Sequence, residues 1–258
     1  MNILFVTSKN VYPLIGGIER ITYVLARAFK QIYNYSCYSL FTQENPQGKT
    51  TDDVFSGKYL LNLEDSEVKQ VASCIDNWAI DIIIAQGSDA AVNCRMSMLR
   101  EAIDLAGRGK LLFVFHNMPG FELVKMDCPA LLHRLFHRQN VISNLKQLLI
   151  QLLYPIVPKS CEKIIASKYI EPYSAADKVV LLSDAFIPKY NHFVHGNLDK
   201  YVAVNNMLSY DSKSTNYSSL HNANILNTFY EPINDNFSTN NISSNLFKNS
   251  SLVFIDAH

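Results

Sequence analysis

Up to about residue 210, apolar positions follow two alternating rhythms. Short, mostly apolar runs occur at Asn2-Ile-Leu-Phe-Val-Thr7, Asp81-Ile-Ile-Ile-Ala85, Lys110-Leu-Leu-Phe-Val-Phe115 and Ala175 to Ser183, and Tyr35 to Phe41, though interrupted by Ser36 and Ser39, is a plausible further strand. Runs of this kind predict parallel strands covered on both faces. Helical spacing lies between them. Ile18, Ile21, Thr22, Leu25, Ala26 and Phe29 form one stripe, with Glu19, Arg20, Arg27 and Lys30 mostly outside it. Val68, Val71, Ala72 and Ile75 form another within Ser66 to Trp78, and a third helix is expected from Ala90 to Ala106, closed by Gly107 and Gly109. A short helix is expected from Asp184 to Tyr190, and a polar loop from Thr42 to Lys58. This β-α order predicts an α/β fold: a doubly wound, parallel, Rossmann-like sheet with right-handed crossovers. Ligands of such sheets bind beyond the carboxyl ends of the strands.

The rhythm stops after residue 210. From Lys213 to Ser251 Asn and Ser make up nearly half the positions, few aliphatics occur and no period is sustained. Such a composition buries too little apolar surface to offset chain entropy, so residues 1–210 are expected to be one domain and 211–258 a disordered or truncated tail. The sequons at Asn216, Asn236 and Asn241 are what chance gives in an Asn/Ser-rich stretch. Leu252 to Ile255 reads as a strand that starts and is cut off.

Charge narrows the function classes. Lys plus Arg and Asp plus Glu both number 23, so no overall field would draw the chain to nucleic acid. The first residues form a strand rather than a secretion signal, and no apolar run reaches the ~18 residues of a membrane span, which points to the cytosol. Cys37, Cys74, Cys94, Cys128 and Cys161 are odd in number and lack a CxxC pair, which favours reduced thiols over disulfides or zinc. Pro129 to Ile170 mixes leucines with His133, Arg134, His137 and Arg138. Basic, leucine-rich helices either pack on a sheet or lie on an anionic membrane; the first is the commoner use.

Two stretches at the expected ligand edge carry candidate chemistry. Gly16-Gly17 opens the first helix, where backbone N–H groups and the positive end of the dipole could meet a phosphate or a sugar hydroxyl. A glycine pair also makes an ordinary strand-to-helix turn, and the residues alone leave both readings open. Neither GxGxxG nor GxxxxGK[ST] is present. The second stretch is His116-Asn-Met-Pro-Gly120, which follows a core strand and is held by a Pro-Gly turn. Glu122 is a further cleft candidate, although a solvated loop carboxylate is the commoner case. No acidic cluster follows the first strand, which disfavours a flavodoxin-like or receiver domain.

Several of these segments, in this order, resemble the family 4 glycosyltransferases of the GT-B fold. They are Asn2 to Thr7 with Gly16-Gly17-Ile-Glu19-Arg20, the His116-Asn-Met-Pro119 segment, and Ala176-Asp-Lys-Val-Val-Leu-Leu-Ser183 before a small amphipathic turn. The resemblance covers residues 1 to about 210, the acceptor-side domain. It implies transfer of a sugar from a nucleotide-sugar donor to a glycan or lipid-linked acceptor, with retention. His116 would contact the donor sugar near the reacting carbon, while Gly16, Gly17, Glu19, Asn117 and Glu122 would lie where donor and acceptor meet. No cofactor or metal is implied beyond the nucleotide sugar, since Asp52-Asp53 lies in a polar loop away from the ligand edge. Peripheral contact with the inner membrane face through residues 130–170 would suit a lipid-linked acceptor. Tyr201-Val-Ala-Val-Asn205-Asn206 looks like the family's last strand of this domain, but its Asn-Pro element is replaced by Asn206-Met207, and the donor-domain Arg/Lys pair and paired glutamates have no counterpart. A non-catalytic acceptor-binding module is therefore the alternative. Either way, an isolated first domain is expected to be marginally stable and prone to associate.

Overall fold

The computed structural model describes residues 1–14, 16–45, 54–61, 67–87, 95–123 and 141–204. Among the described residues seven strands form one sheet: β1 (Asn2–Lys9), β2 (Ser36–Gln43), β3 (Gly57–Leu60), β4 (Ile82–Gln86), β5 (Lys110–Phe115), β6 (Lys178–Leu181) and β7 (Tyr201–Ala203). Their order is β3-β2-β1-β4-β5-β6-β7, and every neighbouring pair is parallel. The order turns back on itself between β1 and β4. In a doubly wound sheet that reversal opens a crevice at the carboxyl ends of the strands, because the connections on its two sides leave in opposite directions.

The central strands are apolar because both of their faces are covered. Ile3 to Thr7 of β1 and all five residues of β4 are buried. Leu4, Val6, Ile83 and Ala85 join the main core, while Phe5 stacks on Phe29 of helix α1 (Gly17–Tyr33) with ring centroids 6.3 Å apart. The main core also takes in α2 (Glu67–Asn77), α3 (Met96–Ala106) and α5 (Pro158–Ala175). Left-handed residues end the helices where the sequence offers them: Asn34 at φ 54° after α1 and Gly107 at φ 66° after α3.

Two expectations need correction. Strand β3 begins inside the stretch expected to be a loop; it is a short, half-exposed edge, so it leaves no apolar run to recognise. An added Cβ at its Gly57 would press on Tyr38 at 3.1 Å and Trp78 at 3.2 Å, so a larger residue there would need the stacked rings to give way. Helix α3 starts at Met96, because Arg95 before it has extended ψ (131°); residues 90–94 lie outside the described residues. The basic, leucine-rich stretch divides at its prolines into α4 (Val141–Leu153) and α5, which begins at Pro158 and runs on to Ala175. Helix α6 (Phe186–Val194) follows β6 and ends at His195, φ 54°. Asp52-Asp53, Cys94, Cys128, residues 129–140, Asn206-Met207 and the tail 211–258 lie outside the described residues.

Candidate active site at the sheet reversal

Three chain segments converge where the strand order reverses. The first is the start of α1. Gly16 is fully extended (φ −162°, ψ 175°), a conformation open to any residue; a Cβ there would sit 2.5 Å from Glu19 Oε2, the movable end of a side chain. Gly17 is exposed, and a Cβ there would meet nothing within 4 Å. Neither glycine is demanded by turn geometry. Gly in a helix costs roughly 0.5–1 kcal/mol relative to Ala, so the turn alone leaves Gly17 unexplained. Open space over an exposed first-turn backbone is what close approach by a ligand would need.

The second segment is the end of β4. Gly87 has φ 80°, and a Cβ there would lie 2.6 Å from Ile18 Cδ1 and 3.7 Å from His116 Cδ2. Gly87 thus allows the first turn of α1 and the histidine to close from either side. Before it, Gln86 is 1% exposed, and its Oε1 lies 2.6 Å from His116 Nε2. In this arrangement the ring donates from Nε2 and keeps the Nδ1 lone pair. Gln86 Nε2 is buried without a partner, and burying an unpaired amide group costs free energy.

The third segment is the loop after β5. Burial lowers the His116 pKa to about 4, so the ring is neutral near pH 7. It can accept a proton or polarise a bond, but it does not bring a standing positive charge. Asn117 beside it is half-buried. Gly120, at φ 83°, turns the chain into a short 3₁₀ segment, Phe121–Leu123. Its N–H donates to Tyr169 Oη at 2.8 Å, and that hydroxyl donates to Glu122 Oε2 at 2.7 Å.

Two acidic candidates are more deeply placed than the sequence suggests. Glu122 is 4% exposed, bound by Tyr169 and 3.6 Å from Lys168 Nζ, so it is a buried anchor of the loop and not a solvated carboxylate. Glu19 belongs to the buried side of α1 with Thr22, Ala26 and Phe29. Its negative charge in the first turn is favoured by the helix dipole, and rotation of the helix toward that side leaves Ile18 half-buried against Gly87.

Sequence reasoning overlooked Gln86, Gly87 and Asn10. A polar residue closing an otherwise apolar core strand is the signal Gln86 offered. Asn10, just past β1, is 4% exposed; its Nδ2 donates to Glu44 Oε2 at 2.9 Å, while its Oδ1 is buried without a partner. The thiols of Cys37 and Cys74 are free and pushed up by burial to about 12 and about 11, which makes them poor nucleophiles. Among the described residues no group of three His, Cys, Asp or Glu side chains is placed to hold a metal ion, and no helix is long and apolar enough to cross a membrane.

No family model matches the chain, and no curated protein matches it in sequence. Solved structures of Anabaena Alr3699/HepE are similar in backbone: the complex with UDP at a TM-score of 0.46, and those with UDP-glucose and with UDP and glucose at 0.47. Identity is 12% in each, over 80–81% of this chain but 44% of theirs. The chain therefore spans less than half the length of the proteins it matches, and at this identity no residue inherits a role from them.

Proposed function

We propose that this chain is the acceptor-side domain of a nucleotide-sugar-dependent glycosyltransferase, acting with retention on a glycan or lipid-linked acceptor. The observation that carries this reading is the convergence at the sheet reversal. The first turn of α1 after the bare Gly17, and a neutral His116 bonded to the buried Gln86, close on Gly87 from either side. In this reading the N–H groups of the first turn of α1 receive phosphate or acceptor oxygens. His116, held by Gln86, hydrogen-bonds the transferring sugar as charge develops on it. Asn117, Glu19 and Glu122 shape the crevice, the last by anchoring its loop. No metal takes part, so a chelator should leave turnover unchanged.

The donor lies across a cleft in such enzymes, and catalysis depends on both walls. A second reading is a non-catalytic module that binds the acceptor alone. One experiment separates the two. Incubate the purified chain with a panel of nucleotide sugars and score hydrolysis or transfer against His116→Ala. Turnover above that control supports the enzyme. Turnover absent, with no thermal shift by UDP- or GDP-sugars, leaves the binding module.

A further inference from the structure

Helix α4 turns an apolar side outward. Ile142, Leu145, Leu149, Leu152 and Leu153 are all exposed, Ile142 at 85%, and Ile156 in the following turn is 74% exposed. Steps of three and four residues place them along one side of the helix. The opposite side faces the protein: Ile150 is buried, and Gln151 donates to the Glu122 carbonyl at 3.4 Å. A surface helix of a water-soluble domain ordinarily has the reverse arrangement, so this side is made to be covered.

The surrounding charge says by what. No Asp or Glu occurs between Asp127 and Glu162, whereas Lys146 on α4 and Lys159 and Lys163 on α5 are exposed. The acids of α5 are turned to partners. Glu162 lies 3.4 Å from His192 Nε2 and accepts from Tyr154 Oη at 3.3 Å, and Glu171 accepts from the Ser97 hydroxyl at 3.2 Å. An aliphatic face with exposed charge of one sign matches a surface that is apolar beneath and anionic on top.

We propose that α4 and the turn leading to Lys159 dock on a bilayer of anionic phospholipid. Leucine and isoleucine side chains enter the acyl boundary while the lysines meet lipid phosphates. The helix lies in the interface and does not cross it. Through Gln151 and Glu122 the docked helix stands against the loop that carries His116. The proposal does not require that the sheet edge transfer sugar.

The test is flotation of the full chain with phosphatidylglycerol vesicles and, separately, with phosphatidylcholine vesicles. Binding is expected to the first only and to weaken with salt, because the charge component is screened. Lys146→Glu with Lys159→Glu should weaken it by about fivefold or more per site. Leu145→Ser with Leu149→Ser and Ile156→Ser should lower it by about tenfold or more. Circular dichroism melting of each variant should match the parent, since all these side chains are exposed. Failure of the parent chain to float with phosphatidylglycerol, equal flotation with phosphatidylcholine, or undiminished binding by both variants would overturn the proposal. So would a dimer in light scattering that Leu149→Ser dissociates and that ignores vesicles, which would assign the face to a second copy.

Discussion

The two flanks of the crevice differ in how their polar groups are used. On the flank of β1, α1 and β4, capacity is left over: Gln86 Nε2 and Asn10 Oδ1 are buried without partners, and the space beside Gly17 is open. On the flank of the His116 loop it is consumed. Gly120 N–H, Tyr169 Oη and Glu122 form a closed chain of hydrogen bonds. The Tyr169 ring is stacked on Phe193 at 4.5 Å and packed against Phe115 and Tyr190. Burial, with the charge of Glu122, pushes the Tyr169 hydroxyl well above its ordinary range, so it stays a donor. A satisfied network is scaffold, and a buried polar group without a partner is capacity that the packing has not used.

The sharpest way to break this contrast is to remove the scaffold. Tyr169→Ala deletes a fully buried ring and should cost about 3–5 kcal/mol, lowering the melting temperature by roughly 10 °C. Tyr169→Phe should cost only about 1–3 kcal/mol, by unpairing Glu122 and the Gly120 N–H. If both substitutions are neutral in a thermal melt, the loop is not anchored as described.

Acidification is expected to have the next largest effect. The His116 pKa is lowered to about 4 in the fold, against an ordinary 6.5, so between these values the unfolded chain binds the proton first. The associated stability is present above pH 6.5 and lost as pH falls toward 4, amounting to about 3 kcal/mol. Denaturant titrations of the parent and His116→Gln across that window measure it; the parent should show the steeper fall.

Gly87→Ala places a side chain at φ 80° and drives it into Ile18, so a loss of about 2 kcal/mol is expected. Equal urea midpoints for variant and parent would show that α1 and the histidine are not closed over this residue. The smallest effect separates fold from function. Gly17→Ala meets nothing within 4 Å and should be neutral or stabilising by up to about 1 kcal/mol. Its ligand affinity or turnover should nonetheless fall, because the methyl occupies the approach to the backbone.

Much of this molecule follows from its sequence alone. Unbroken apolar runs at Asn2 to Thr7, Asp81 to Ala85 and Lys110 to Phe115 permit only strands covered on both faces, and the helical stripes between them dictate parallel crossovers. That is local information, since each run reports its own burial. The positions of Gly16, Gly17 and His116 followed from the same runs: the glycines open α1 a short loop after β1, and His116 follows directly on β5. Strand β3 did not, because an edge strand is stabilised by its pairing to β2 and by Trp78 over Gly57, not by its own apolarity. The fate of the acids was hidden too. Whether Glu122 meets water or Tyr169 depends on a residue 47 positions away, and Gln86 acquires its meaning only when parallel register sets β4 beside β5 and brings His116 within 2.6 Å. Pattern along the chain determines which segments must be buried; only tertiary packing decides which buried polar group finds a partner.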